Sequence, residues 1–152
     1  MDINKVTAVY FVGAGGIGMS ALIRYFLAKG KRVGGYDKTP SDLTEELKKE
    51  GAGIHYEDNV ALIGEAFKSP DDTLVVYTPA VPESHTELTY FRAHGFDEAG
   101  TCLGRDHEKQ PGFMRGGHAR QDNDLFYASS FAETIAGGLQ CFPRRNPKEL
   151  RE

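Results

Sequence analysis

The sequence predicts an α/β protein: a Rossmann-like, doubly wound parallel sheet followed by a poorly ordered tail. Three observations carry that prediction. Short runs rich in β-branched and aromatic residues alternate with segments of helical spacing, joined by short connections. A glycine-rich turn stands at the first strand-to-helix junction. All eight valines lie in residues 1–97 and none in 98–152, so the material for a core is confined to the front of the chain.

"VTAVYFVG" (6–13) is an apolar run suited to a strand buried on both faces, and it stops at glycines. From Ile17 the spacing turns helical, with Leu22 and Phe26 one turn apart and Ala21 and Tyr25 beside them, until Gly30 supplies a stop. "RVGGYD" (32–37) reads as a second strand. Asp42 and Glu45 then have capping-box spacing, Leu43 and Leu47 form an apolar stripe, and Gly51 ends that helix. "VALIGEAF" (60–67) reads as helical, "TLVVYT" (73–78) as another buried strand, and "HTELTYFRAHG" (85–95) as the next helix. Each crossover must return the chain over a face of the sheet, which makes the strands parallel.

The tail differs in kind. Residues 98–152 scatter Gly, Pro, Arg and Asp, and only "LFYASSFAETIAGGL" (125–139) is apolar enough to attempt a helix. Residues 1–97 carry 10 basic and 14 acidic side chains; residues 98–152 carry 8 of each. A net charge of −4 without a basic stripe argues against nucleic acid or an anionic membrane as partner. No apolar run approaches the ~20 residues of a membrane span, and "MDINK" is unlike a signal peptide, which predicts a cytoplasmic protein. Cys102, His107, His118 and Cys141 lack the paired close spacing of structural zinc ligands, so no metal site is expected. The sequence leaves the oligomeric state open.

The chemistry concentrates in "VGAGGIGMS" (12–20). Gly13, Gly15 and Gly18 have GxGxxG spacing between a predicted strand and a predicted helix. Glycines there allow a tight turn and close approach of a phosphate to the helix N-terminus, where free N–H groups and the dipole favour negative charge. Asp37 follows Gly18 at the end of the second strand, where a carboxylate can accept a hydrogen bond from a ribose hydroxyl. Spacing alone suits NAD, as in an oxidoreductase or a nucleotide sensor. The competing readings are a noncatalytic module whose glycines only permit tight packing, and a short accessory domain formed by the tail.

Three separated segments narrow the choice. "FVGAGGIGMSALIRYFLAKGKRVGGYD", "GIHYEDN" and "VVYTPAVPESHTEL" resemble, in order, the N-terminal domain of the Mur ligases over residues 5 to about 96. The resemblance implies a Rossmann-like domain that holds the UDP part of UDP-N-acetylmuramate without nicotinamide. It makes Gly15, Gly16, Ile17, Gly18, Met19 and Ser20 the pyrophosphate loop, places Gly13 and Ala14 among the UDP-binding residues, and makes Asp37 a ribose or uridine contact. It brings His55 and Asn59 near the UDP site, and Thr78, Pro79 and Ala80 to a strand exit of the kind that faces ligands in open parallel sheets. The implied activity is ATP- and magnesium-dependent amide-bond formation between L-alanine and the sugar nucleotide, in peptidoglycan synthesis.

The resemblance also calls for a linker, Lys-Arg-Ala-x-x-Leu-Gly, and an ATP-binding loop, Gly-Thr-His-Gly-Lys-Thr-Thr-Thr. Neither is present in residues 98–152. Back-translated and read one base later, "GHARQDNDLF" (117–126) permits Gly-Thr-His-Gly-Lys-Thr-Thr-Thr-Ser, and the stretch from Asp97 through Glu108 permits Met-Lys-Arg-Ala-x-Val-Leu-Gly-x-Ile-Thr-Arg. One shifted frame is compatible with both expected segments. The tail therefore reads as ligase sequence translated out of frame from near Phe96 or Asp97. The expected chain is a truncated ligase that binds the UDP sugar, holds no cofactor of its own, has no catalytic residues and is inactive alone.

Overall fold

The central strand, β1 (Ala8–Val12), is buried along its whole length in the computed structural model, which describes residues 5–78 and 80–100. Its neighbours are β2 (Arg32–Tyr36) on one side and β4 (Thr73–Tyr77) on the other. With β3 (Gly53–His55) and β5 (Asp97–Gly100) outside them, five parallel strands run in the order β3-β2-β1-β4-β5. The order reverses at β1, and β1's C-terminal end meets β4's at the switch point where doubly wound sheets open a ligand crevice.

Alternation along β1 builds two cores. Val9 and Phe11 face α1 (Ile17–Ala28) and α2 (Asp42–Glu50), packing with Leu22, Ile23, Phe26 and Leu47. Tyr10 and Val12 face the other way, onto α3 (Thr86–Ala93) and the segment before β4, with Ile63, Leu88, Phe91 and Phe96. Arg24 braces α1 to α2 through Glu50 and Glu46, at 3.0 and 3.3 Å.

The structure departs from the sequence reading in four places. "VALIGEAF" does not form one helix: two 3-10 turns, Val60–Leu62 and Glu65–Phe67, are separated at Ile63 and Gly64. Phe67 lies against Gly34 of β2, where any β-carbon would stand 2.7 Å from the ring, so packing against the sheet overrides local propensity. The cap of α2 is displaced by one residue. Ser41 and Thr44 form the capping box, and Thr44 is fully buried, while Asp42 and Glu45 add charge to the first turn. Two edge strands, β3 and β5, went unassigned because each is too short to show periodicity. Strand β5 also carries the sheet three residues beyond the boundary expected at residue 97. The candidate helix at 125–139 and the cysteines lie outside the described residues. Among the described residues no helix is long and apolar enough to cross a membrane.

Helix α3 is held at its start by a distant residue. The Asp58 carboxylate accepts from the Thr86 and Glu87 amides at 3.0 and 3.1 Å. Burial works to raise the Asp58 pKa, but these amides and His85 outweigh it and hold the carboxyl below its usual range. A depressed folded-state pKa gives stability that is present above the unfolded value, ~3.9, and is lost as pH falls through the lower folded value. Asp58→Ala should lower unfolding free energy by about 1 kcal/mol at neutral pH, measured in urea, with the difference from the parent shrinking on acidification below the unfolded pKa. A chain ending at Phe96 should melt below one ending at Gly100, since it loses the β4–β5 pairing and the Arg92–Glu98 contact at 3.1 Å. Equal melting temperatures would show that β5 adds nothing.

Candidate functional site

The turn after β1 is held closed by β2. The Gly13 and Ala14 amides both donate to the Tyr36 carbonyl, at 2.8 and 2.9 Å, reversing the chain within the width of one strand. Gly13 has φ +94°, and a β-carbon there would stand 3.0 Å from Thr78 Oγ1 and 3.3 Å from Val81 Cγ2. Gly16, the N-cap of α1, has no side chain with which to cap it, and the first turn holds no acidic residue. The first-turn amides of a helix lack intrahelical acceptors, so this end suits an anion.

Asp37 sits across the turn. Its Oδ2 accepts from the Gly15 amide at 2.6 Å and its Oδ1 from the Thr39 amide at 2.9 Å. Its own amide donates to the His55 carbonyl at 3.1 Å, the last rung between the ends of β2 and β3. A β-carbon at Gly15 would lie 2.7 Å from Oδ2, so any other residue there displaces this carboxylate.

The sequence-predicted residues therefore separate into groups. Gly13, Gly15 and Gly16 form the turn, with Asp37 over it and Thr78 beside it, and Gly18 lies in the first turn of α1. Ala14, Met19 and Ser20 are buried, Ala14 and Met19 within the α1-side core, so any contact from those two is through backbone. Ile17 begins α1. Ala80 is exposed on the turn after β4, and Pro79 lies outside the described residues.

The side chains of His55 and Asn59 make internal contacts. His55 Nε2 lies 2.5 Å from Glu87 Oε1, the Asn59 amide donates to that same oxygen at 3.2 Å, and the Asn59 side chain caps the Ala61 amide at 2.9 Å. Glu87, fully buried, also accepts from the Tyr10 hydroxyl at 2.7 Å. Burial, and after it the nearby Glu87 carboxylate, pushes the Tyr10 phenol above its ordinary range, so it keeps its proton and donates. His85, also buried, packs its ring 4.5 Å from that of Tyr36. Sequence reasoning missed Glu87, Asp58 and His85. The only signal for Glu87 was an acid in a helical first turn, which reads as a solvated, dipole-favoured position.

Among the described residues no group of His, Cys, Asp and Glu side chains is placed to hold a metal. A parallel sheet, a glycine turn at its switch point and an acid at the end of β2 define a Rossmann-like domain. Comparison narrows the class. The family model "Mur ligase family, catalytic domain" matches residues 8–98, and the chain belongs to that family.

Its curated relatives include UDP-N-acetylmuramate–L-alanine ligases of Parabacteroides distasonis, 98% identical over 97 residues, and of Phocaeicola vulgatus, 67% identical over 97 residues. Both matches cover 64% of this chain and 21% of the relative, so the chain spans about a fifth of the length of the curated relatives it matches. Among solved structures, the UDP-N-acetylmuramate–alanine ligase of Thermotoga maritima is 28% identical with a TM-score of 0.54, over 61% of this chain and 20% of that one. A UDP-N-acetylmuramate:L-alanyl-γ-D-glutamyl-meso-diaminopimelate ligase from Neisseria, 17% identical with a TM-score of 0.54 over 62% of this chain and 28% of its own, shares the fold.

Substitution at the turn has a calculable consequence. Gly13→Ala forces an L-side chain into positive φ beside Thr78 and should destabilise by roughly 1–2 kcal/mol. Gly15→Val should expel the Asp37 carboxylate and release the Thr39 amide to exchange, with far-UV circular dichroism unchanged. Retained protection at Thr39 would show that the carboxylate stays in place.

Proposed function

We propose that residues 5–100 are the UDP-binding domain of a UDP-N-acetylmuramate–L-alanine ligase, and that the chain binds the sugar nucleotide without ligating it. The observation that carries this reading is the 98% identity over 97 residues to a ligase of that name, which leaves room for about two differences across the glycine turn, Asp37 and the β4 exit together. The uncapped start of α1 supplies amides for the pyrophosphate, and Asp37 supplies an acceptor for a ribose or uridine donor. An acceptor-only carboxylate at that place favours a hydroxyl and repels a phosphate.

The full reaction would use ATP to phosphorylate the lactyl carboxylate, after which the amine of L-alanine attacks the acyl phosphate and inorganic phosphate leaves. That chemistry needs a phosphate loop with its lysine, and magnesium. The 152 residues contain no Gly-x-x-x-x-Gly-Lys-Ser/Thr sequence. The frame change read near Phe96 or Asp97 accounts for this. It is supported by a match whose length equals the stretch ahead of that point, and resequencing the coding DNA around codon 97 tests it.

Calorimetric titration should show binding of UDP-N-acetylmuramate and none of NADH. Asp37→Ala should weaken the complex by about 1–3 kcal/mol, and Gly15→Val should abolish it. Binding of NADH alone would favour a dinucleotide enzyme, and binding of neither would favour glycines with a purely structural role. With ATP, magnesium and sugar nucleotide saturating, the chain should release no phosphate in response to L-alanine; alanine-dependent turnover would refute the inactive-fragment reading.

A further inference from the structure

We infer that Glu87 is a positioning residue for the nucleotide site: from the buried face of the sheet it fixes His55, whose carbonyl holds the Asp37 amide and so sets the Asp37 carboxylate over Gly15. The chain of contacts is continuous. Glu87 Oε1 meets His55 Nε2 at 2.5 Å, the His55 carbonyl accepts from the Asp37 amide at 3.1 Å, and Asp37 Oδ2 accepts from the Gly15 amide at 2.6 Å.

Two features give this arrangement a purpose beyond packing. Strand β3 has three residues and, among the described residues, pairs only with β2; Ile54 in the α1-side core and the Tyr56 hydroxyl on Glu45 anchor its flanks, and Glu87 anchors His55 itself. An edge strand of that length opens easily unless its end is anchored. Glu87 is also a costly way to fill space: a fully buried carboxylate is tolerated only with its lone pairs satisfied, and an apolar side chain there would be cheaper for stability alone. All of its partners are directional. Asn59 N and His55 Nε2 converge on Oε1, and Tyr10 donates to Oε2. The backbone of Glu87 is fixed in turn by Asp58, so residues 55–59 and the first turn of α3 lock each other.

The ligand arm of the test rests on the proposed UDP-sugar binding; the exchange arm does not. In the full chain, Glu87→Leu removes the acceptors. It should speed hydrogen exchange at the Asp37 and Gly15 amides about ten-fold, leave Phe11 and Val75 unchanged, and weaken UDP-N-acetylmuramate binding about ten-fold. Glu87→Gln keeps an oxygen for His55 and Asn59 and lets its amide donate to the Tyr10 hydroxyl, so it should match the parent in both measurements. His55→Phe cuts the relay while Glu87 still holds Tyr10 and Asn59. It should reproduce the faster exchange, which decides the matter even if the Leu variant does not fold. Unchanged exchange at Asp37 and Gly15 in His55→Phe, or a Gln variant as damaged as the Leu variant, overturns the inference. A parent chain that fails to bind the sugar nucleotide overturns the functional reading instead, and the exchange arm still decides the relay.

Discussion

Burying both faces of β1 is the constraint on which the rest of the molecule depends. A strand with helices on one side and α3 with its preceding turns on the other has no exposed position for a polar group or a gradual bend. Its one polar side chain, Tyr10, therefore needs an internal acceptor, and Glu87 supplies it. Its C-terminal end must reverse between the ends of β2 and β4. Only a positive-φ glycine beside Thr78 achieves that. The start of α1 follows from the reversal, because the helix must begin at once, on a glycine that has no side chain to cap it.

Much of this was legible in the sequence, for identifiable reasons. Strands β1, β2 and β4 and helices α1 to α3 have boundaries within one or two residues of those read from apolar runs and glycine stops, because long elements facing a core leave a periodic trace. The turn and Asp37 were legible because glycine and an acid at fixed spacing have few other uses between a strand and a helix. The illegible parts are those settled by tertiary contact. Val60 to Phe67 carries helical residues, yet Phe67 must reach Gly34 and the segment bends to let it. The α2 cap moved to Ser41 because Thr44, and not Glu45, faces the core, while Glu45 accepts from the Tyr56 hydroxyl at 2.8 Å.

"GIHYEDN" shows a different limit. Polar residues just beyond a strand's C-terminal end suit a ligand site and an internal clip equally well, since both use the same edge of the sheet. Here His55, Asp58 and Asn59 all spend a polar group on the start of α3. The backbone of the segment carries Asp37, and the His55 and Asp58 side chains hold the start of α3. Such a division is invisible in one dimension, because the acid that unites these residues lies about 30 positions further along and looks like an ordinary helix-start glutamate.

Strand β5 separates two meanings of a domain boundary. "DEAG" has little intrinsic preference for a strand, yet Asp97–Gly100 pairs in parallel with Leu74–Tyr77. Edge pairing consumes backbone groups, which are the same whatever side chains they carry. Phe96, buried at the end of the α3-side core, delivers the chain to the edge, and Arg92 then meets the Glu98 carboxylate, whose pKa burial raises against the pull of that guanidinium. The family match ends at residue 98, where recognisable side chains end. The sheet ends at Gly100, where backbone pairing ends. A stretch without a strand-forming pattern can thus complete a sheet when the residue before it is anchored and the neighbouring strand offers an open edge, so the fold can extend past the sequence features that mark it.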